Sequence, residues 1–166
     1  NKYNQDLAVE SLCNTLEDAM KGSDVFIGVS GANLLSSNLI SKMNQNPIIF
    51  ALANPNPEIL PDEAHAVRDD IVMATGRSDF PNQVNNVLGF PFLFRGALDA
   101  QAREITNDML VAAATALATL AKEDVPQSVL DAYGVRSMSF GKEYFIPKPF
   151  DPRLIDWVAK AVRDAA

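Results

Sequence analysis

Asn85 and Asn86 stand side by side where a polar turn, carrying Gly76, Arg77, Ser78, Asp79, Pro81 and Asn82, gives way to an apolar run. Asn is favoured at helix starts because its side chain satisfies orphan backbone donors. Such a start, with free N–H groups and a positive dipole end, attracts carboxylates or phosphates, and the amides add neutral donors to the same spot. The run that follows, Val87 to Leu98, is apolar on nearly every side, which predicts burial all round; Pro91 inside it predicts a stop or a kink. The same residues also suit a capped, kinked core helix whose Asn pair only completes the backbone.

Other chemistry is sparse. Gly28-Val29-Ser30-Gly31 reads either as a strand-end turn that lets backbone approach a nucleotide or as an ordinary tight turn. Asp79 is placed to orient Arg77, and Arg95 and Asp99 have the i, i+4 spacing of a helical ion pair. Glu58, Asp62, Glu63, Asp69 and Asp70 are most economically a solvated face. The single histidine, His65, lies on an expected surface helix, so neither a histidine-based triad nor a histidine-rich metal site can be built. Cys13, the only cysteine, is expected to be a small buried hydrophobe. No Walker A loop, G-x-S-x-G elbow, H-E-x-x-H or G-x-G-x-x-G fingerprint is present.

These residues need elements to hold them. Val25 to Val29, Pro47 to Leu52 and Ile71 to Ala74 are short apolar runs ending in turn residues, as strands buried on both faces do. Helices are expected over Leu16 to Lys21, from Ser36 or Ser37 through Met43, over Pro61 to Val67, Asn107 to Lys122 and Asp151 to Asp164, with a weak pattern from Asn4 to Leu12 and irregular chain from Gly134 to Pro149. Strands alternating with helices imply a doubly wound parallel sheet with right-handed crossovers, whose ligands bind outside the carboxyl ends of the strands. Gly28 to Gly31, Asn54 and the Thr75 to Asn86 turn all fall on that edge, and their convergence favours a site.

The 166 residues suit one domain, and 48% hydrophobic composition supports a substantial core. A net charge of −7 offers no basic stripe for nucleic acid. No run has the length of a membrane helix, and cysteine usage fits a reducing cytoplasm. The start at Asn1 rather than Met suggests material upstream.

VFIGVSG, NPIIFALANPNPEI, VMATGRSDFPNQVNNVLGFPFLFRGALD and YFIPKPFDPRL, taken together, closely resemble the NAD(P)-binding domain of bacterial-type malic enzyme, through essentially the whole chain. The resemblance implies oxidative decarboxylation of malate to pyruvate and carbon dioxide, NAD or NADP, a divalent Mg or Mn ion, and a dimeric cytoplasmic enzyme. It assigns Asn54 to substrate and nicotinamide, Asn86 to a malate carboxylate, and Val29, Ser30, Gly31 and Asn85 to the cofactor side. Physically this is coherent: a dicarboxylate losing hydride needs prepositioned donors that do not titrate.

Three departures accompany it. The family's catalytic tyrosine and lysine, its acidic metal ligands and its glycine-rich turn have no counterpart here and are expected upstream, so residues 1–166 are expected to be the later half of a Rossmann-like domain with three strands, partnered by an upstream part or a second copy. The acidic residue that would help separate NAD from NADP is also absent. A non-catalytic interaction or regulatory module derived from the fold stays open as the alternative, although retention of both Asn54 and Asn86 favours the enzyme.

Overall fold

The apolar runs pair as the alternation requires. In the computed structural model, which describes residue 5 and residues 8–166, β1 (Val25–Gly28), β2 (Ile48–Ala51) and β3 (Val72–Thr75) form one parallel sheet in the order β1-β2-β3. Val25 lies opposite Ile48, and Ile48 opposite Val72. Before the sheet comes α1 (Leu16–Met20), fixed by a capping box: Asp18 N–H donates to Thr15 Oγ1 at 3.1 Å while Asp18 Oδ2 accepts from Thr15 N–H at 3.1 Å. The crossovers carry α2 (Ser37–Ile40) and α3 (Pro61–His65), the latter opened by a proline where a missing N–H costs nothing. The weak helix expected over 4–12 lies partly outside the described residues, and residues 8–12 are not helical.

Helices make the second half. A short 3₁₀ turn, Asn86–Leu88, leads into α4 (Phe90–Asp99); then follow α5 (Asn107–Leu120), capped by Thr106, and α6 (Gln127–Tyr133), ended by Gly134 at φ 65°. The last helix is π-wound over Ile155–Ala159 and continues as α7 (Lys160–Asp164). Sequence reasoning missed α6. Pro91 neither stops nor kinks α4, because it sits in the first turn, where no intrahelical donor is lost.

The described residues form two cores. Ile49, Ala51 and Met73 pack one sheet face against Met20, Leu35, Ile40 and Ile59. Leu88, Leu93, Met109, Leu120, Leu154 and Val158 form the other between α4, α5 and the C-terminal helix. There α4 comes so close that a Cβ on Gly96 would lie 2.5 Å from Ala159 O. The chain before the last helix returns to the sheet, where Phe145 stacks on Phe50 of β2 at 5.7 Å and an interplanar angle of 8°.

Two expectations of complete burial fail. Phe26 packs on the first core, but Val25, Ile27 and Val29 face outward, Ile27 64% and Val29 77% exposed. On this sheet face Phe145 stacks on Phe50 of β2, and β1 is an edge. On α4, Leu93 and Gly96 are buried while Val87 before it and Phe90, Phe94 and Leu98 on its outer side are exposed, Leu98 by 75%. An apolar residue is buried only where the chain brings another surface to it.

Candidate active site

Each strand ends in one of the polar loops. Val29-Ser30-Gly31 follows β1, Leu52-Ala53-Asn54 follows β2, and Gly76 opens the turn after β3. That third turn doubles back on its strand: Thr75 N–H donates to Asn82 O at 3.1 Å, Val84 N–H donates to Thr75 O at 2.8 Å, and Gln83 comes to lie beside Thr75. Arg77 and Asp79 hold each other at its tip, Nε to Oδ1 at 2.8 Å and Nη2 to Oδ2 at 2.6 Å, with the guanidinium over the Phe80 ring. Hydrogen bonding from Arg77 holds the Asp79 carboxyl below its ordinary pKa. As expected, Asp79 orients Arg77, and Arg95 Nε meets Asp99 Oδ2 at 2.8 Å.

The two adjacent amides are not equivalent. Asn85 uses both ends of its side chain inside the protein, Oδ1 accepting from Val87 N–H at 3.1 Å to cap the 3₁₀ turn and Nδ2 donating to Gly76 O at 3.0 Å. Asn86 is exposed, and its amide engages none of the described residues. Asn54 is also exposed, its Nδ2 reaching only Leu52 O at 3.4 Å. It lies against Gly76, where a Cβ would stand 3.0 Å from that nitrogen.

Asn54, Asn85 and Asn86 line one cleft of about 410 Å³, with Val29, Leu52, Val84, Phe90, Leu117 and Ile146 as its apolar walls. Neutral donors in an otherwise apolar cleft at the carboxyl edge of a parallel sheet suit a small carboxylate beside a flat ring. Of the β1 turn, Val29 lines this cleft while Ser30 and Gly31 do not. Among the described residues no group of three or more His, Cys, Asp or Glu side chains comes together as a metal site.

Three readings of single residues change. Glu58 is not on a solvated face: it is 0% exposed, and its carboxylate accepts from Ser30 N–H at 3.0 Å and Ala53 N–H at 3.1 Å. Its place between Pro57 and the buried Ile59 was the available signal. Asp70 is drawn onto Arg68 through Nε and Nη2, at 2.7 and 2.6 Å. Cys13 is exposed rather than buried. Asn82, which local sequence does not distinguish, ties the third turn to the C-terminal segment: Nδ2 donates to Met73 O at 3.0 Å and Lys142 O at 2.7 Å, and Oδ1 accepts from Phe145 N–H at 3.1 Å. His65 is exposed, as its surroundings suggest.

Residues 2–132 match the family model described as "Malic enzyme, NAD binding domain". The chain belongs to the malic enzyme family. It is 55% identical over 166 residues to the NADP-dependent malic enzyme of Halomonas elongata, covering 100% of this chain and 39% of that protein. It is 51% identical over 159 residues to an NAD-dependent malic enzyme of Rhizobium meliloti, covering 96% of this chain and 21% of that protein. The crystal structure of NAD-dependent malic enzyme from Thermotoga maritima superposes with a TM-score of 0.82 at 39% identity, over 100% of this chain and 40% of that one. The chain thus spans two fifths or less of the length of these malic enzymes, and the three parallel strands with flanking helices are those of a Rossmann-like, NAD-binding fold. Among the described residues no helix is long and apolar enough to cross a membrane.

Proposed function

We propose that the protein carrying this chain oxidises malate with NAD or NADP and decarboxylates it, so that malate and the oxidised cofactor become pyruvate, carbon dioxide and the reduced cofactor. The observation that carries this reading is the pairing of two exposed, neutral amides, Asn54 and Asn86, in one apolar cleft at the carboxyl edge of the sheet. Asn86 donates to a malate carboxylate. Asn54 stands between substrate and nicotinamide, and Val29, Ser30, Gly31 and Asn85 form the cofactor side. A nicotinamide held on that side would supply the acceptor for the hydride leaving the malate carbinol carbon.

What this chain contributes is orientation. Uncharged donors grip a carboxylate without titrating, and the apolar walls exclude water from the carbon that loses hydride. The general base and the acids for a Mg or Mn ion are assigned to parts of the protein outside this chain, and residues 1–166 to the later half of its NAD(P)-binding domain. We assign the assembled enzyme to the cytoplasm as a homo-oligomer. The full-length protein, given malate, Mn and either cofactor, is expected to form pyruvate, carbon dioxide and reduced cofactor in equal amounts. Absence of turnover with both cofactors, or release of oxaloacetate with no carbon dioxide, would overturn the reading.

A further inference from the structure

Glu58 is a fully buried acid held by backbone amides from two loops. Its Oε1 accepts from Ser30 N–H at 3.0 Å and from Ser30 Oγ–H at 3.5 Å, across 28 residues of sequence, and its Oε2 accepts from Ala53 N–H at 3.1 Å. Ser30 belongs to the turn after β1; Ala53 immediately precedes Asn54 in the loop after β2. The surrounding backbone repeats the tie, with Asn33 N–H donating to Pro57 O at 3.1 Å and Leu35 N–H to Glu58 O at 3.0 Å. Room for the carboxylate exists because β1 ends in a glycine: a Cβ on Gly28 would stand 2.4 Å from Glu58 Cδ. A carboxylate has only acceptor atoms, so it can hold both amide donors at once, which no neutral side chain of the same length does.

Building on the malate-oxidising reading, we infer that Glu58 is a positioning residue that locks the cofactor-side turn at Ser30 to the substrate-side loop at Asn54, so that the two halves of the site move as one body. It does not itself face the cleft, and its action passes through the backbone of Ser30 and Ala53. Glu58→Gln is the sharpest probe, because the shape is kept while one oxygen becomes an NH₂ that must point its hydrogens at a backbone donor. One of the two turns is then released. Glu58→Asp keeps both acceptors but shortens the reach.

In the full-length protein, backbone amide hydrogen exchange at Ser30 or at Ala53 is expected to accelerate in Glu58→Gln, while thermal unfolding shows that the variant remains folded. KM for malate and Kd for the cofactor are expected to rise together by about tenfold or more, as for losing a buried charge-assisted hydrogen bond, with kcat changing less; Glu58→Asp is expected to restore part of both. A purely structural residue would lower the melting temperature and leave KM and Kd of the folded fraction unchanged. That result, or unchanged exchange at both amides in Glu58→Gln, would overturn the inference. Exchange needs no turnover, so a wild-type protein inert toward malate would count against the functional reading while the amides still decide the coupling.

Discussion

Asn85 and Asn86 carry the same amide to different ends. Asn85 completes the backbone of its own turn, as a helix cap does, while Asn86 is left with its donors facing the cleft. The capped-helix reading therefore describes Asn85, and the site reading rests on Asn86. For a carboxylate-binding Asn86, replacement by Asp is worse than replacement by Ala, because Ala only removes a donor whereas Asp adds a like charge. Loss of a hydrogen bond to a charged group costs roughly 1.5 to 3 kcal/mol. In the full-length enzyme, Asn86→Ala is expected to raise KM for malate about ten- to hundredfold, and Asn86→Asp to raise it further. Equal Michaelis constants for the two variants would remove the carboxylate role from Asn86.

Between elements, contacts as close as that of α4 on the C-terminal helix leave no room for a methyl. Gly96→Ala would drive Cβ to 2.6 Å from Val162 Cβ as well as onto Ala159 O, so one helix must shift. Overpacking of this kind costs about 1 to 3 kcal/mol, and denaturant unfolding of Gly96→Ala should show that loss; a change within about 0.5 kcal/mol, typical of unconstrained surface sites, would mean that the helices part easily. A second tie is electrostatic. Arg68 donates to Ile40 O, Met43 O and Asn44 O at the end of α2, and to Asp70 just ahead of β3. Hydrogen bonds from the Arg68 guanidinium, then from Asn46 N–H, hold the Asp70 carboxyl well below the usual carboxylate range. Because its folded pKa is the depressed one, its contribution is complete above the unfolded value of about 3.9 and drains away as the pH falls below it. The melting temperature of the wild type should decline through this acid window. Asp70→Asn should melt lower at neutral pH and lose part of the acid slope; parallel curves for the two proteins would show that the pair contributes nothing to stability.

For the whole molecule, the decisive feature is what the sheet and α4 leave uncovered. Among the described residues β1 presents a free edge and an outward row of Val25 and Ile27, continued by Val29 into the cleft, with none of the lysines or prolines that usually blunt such an edge. Each large side chain left in water forgoes roughly 1.5 to 3 kcal/mol, against a total stability of about 5 to 15 kcal/mol. Residues 1–166 expressed alone should therefore pair with a second copy across β1 or hold another polypeptide there, and should not oxidise malate. Sedimentation at micromolar concentration, mass spectrometry of what co-purifies, and a malate assay with Mn and both cofactors check this. A clean, folded 18.0 kDa monomer, or cofactor reduction by pure chain, would refute it.

The chain's own residues determined the three strands, their parallel pairing and the gathering of the polar loops at one edge, because apolar runs, prolines and turn residues act over a few positions and crossovers then follow the handedness of the backbone. The family was legible too, in the long run from Val72 to Asp99. Only the tertiary structure decided which apolar faces are covered, since burial belongs to a pair of surfaces: Phe50 meets Phe145, whereas Ile27, one strand away, stays 64% exposed. It also took Glu58 out of the solvated face and made Asn82 a fastener, through partners 28 residues away for the one and 60 and 63 for the other. A local pattern records propensity; a buried carboxylate needs two loops to converge on it, and that convergence exists only once the sheet has formed.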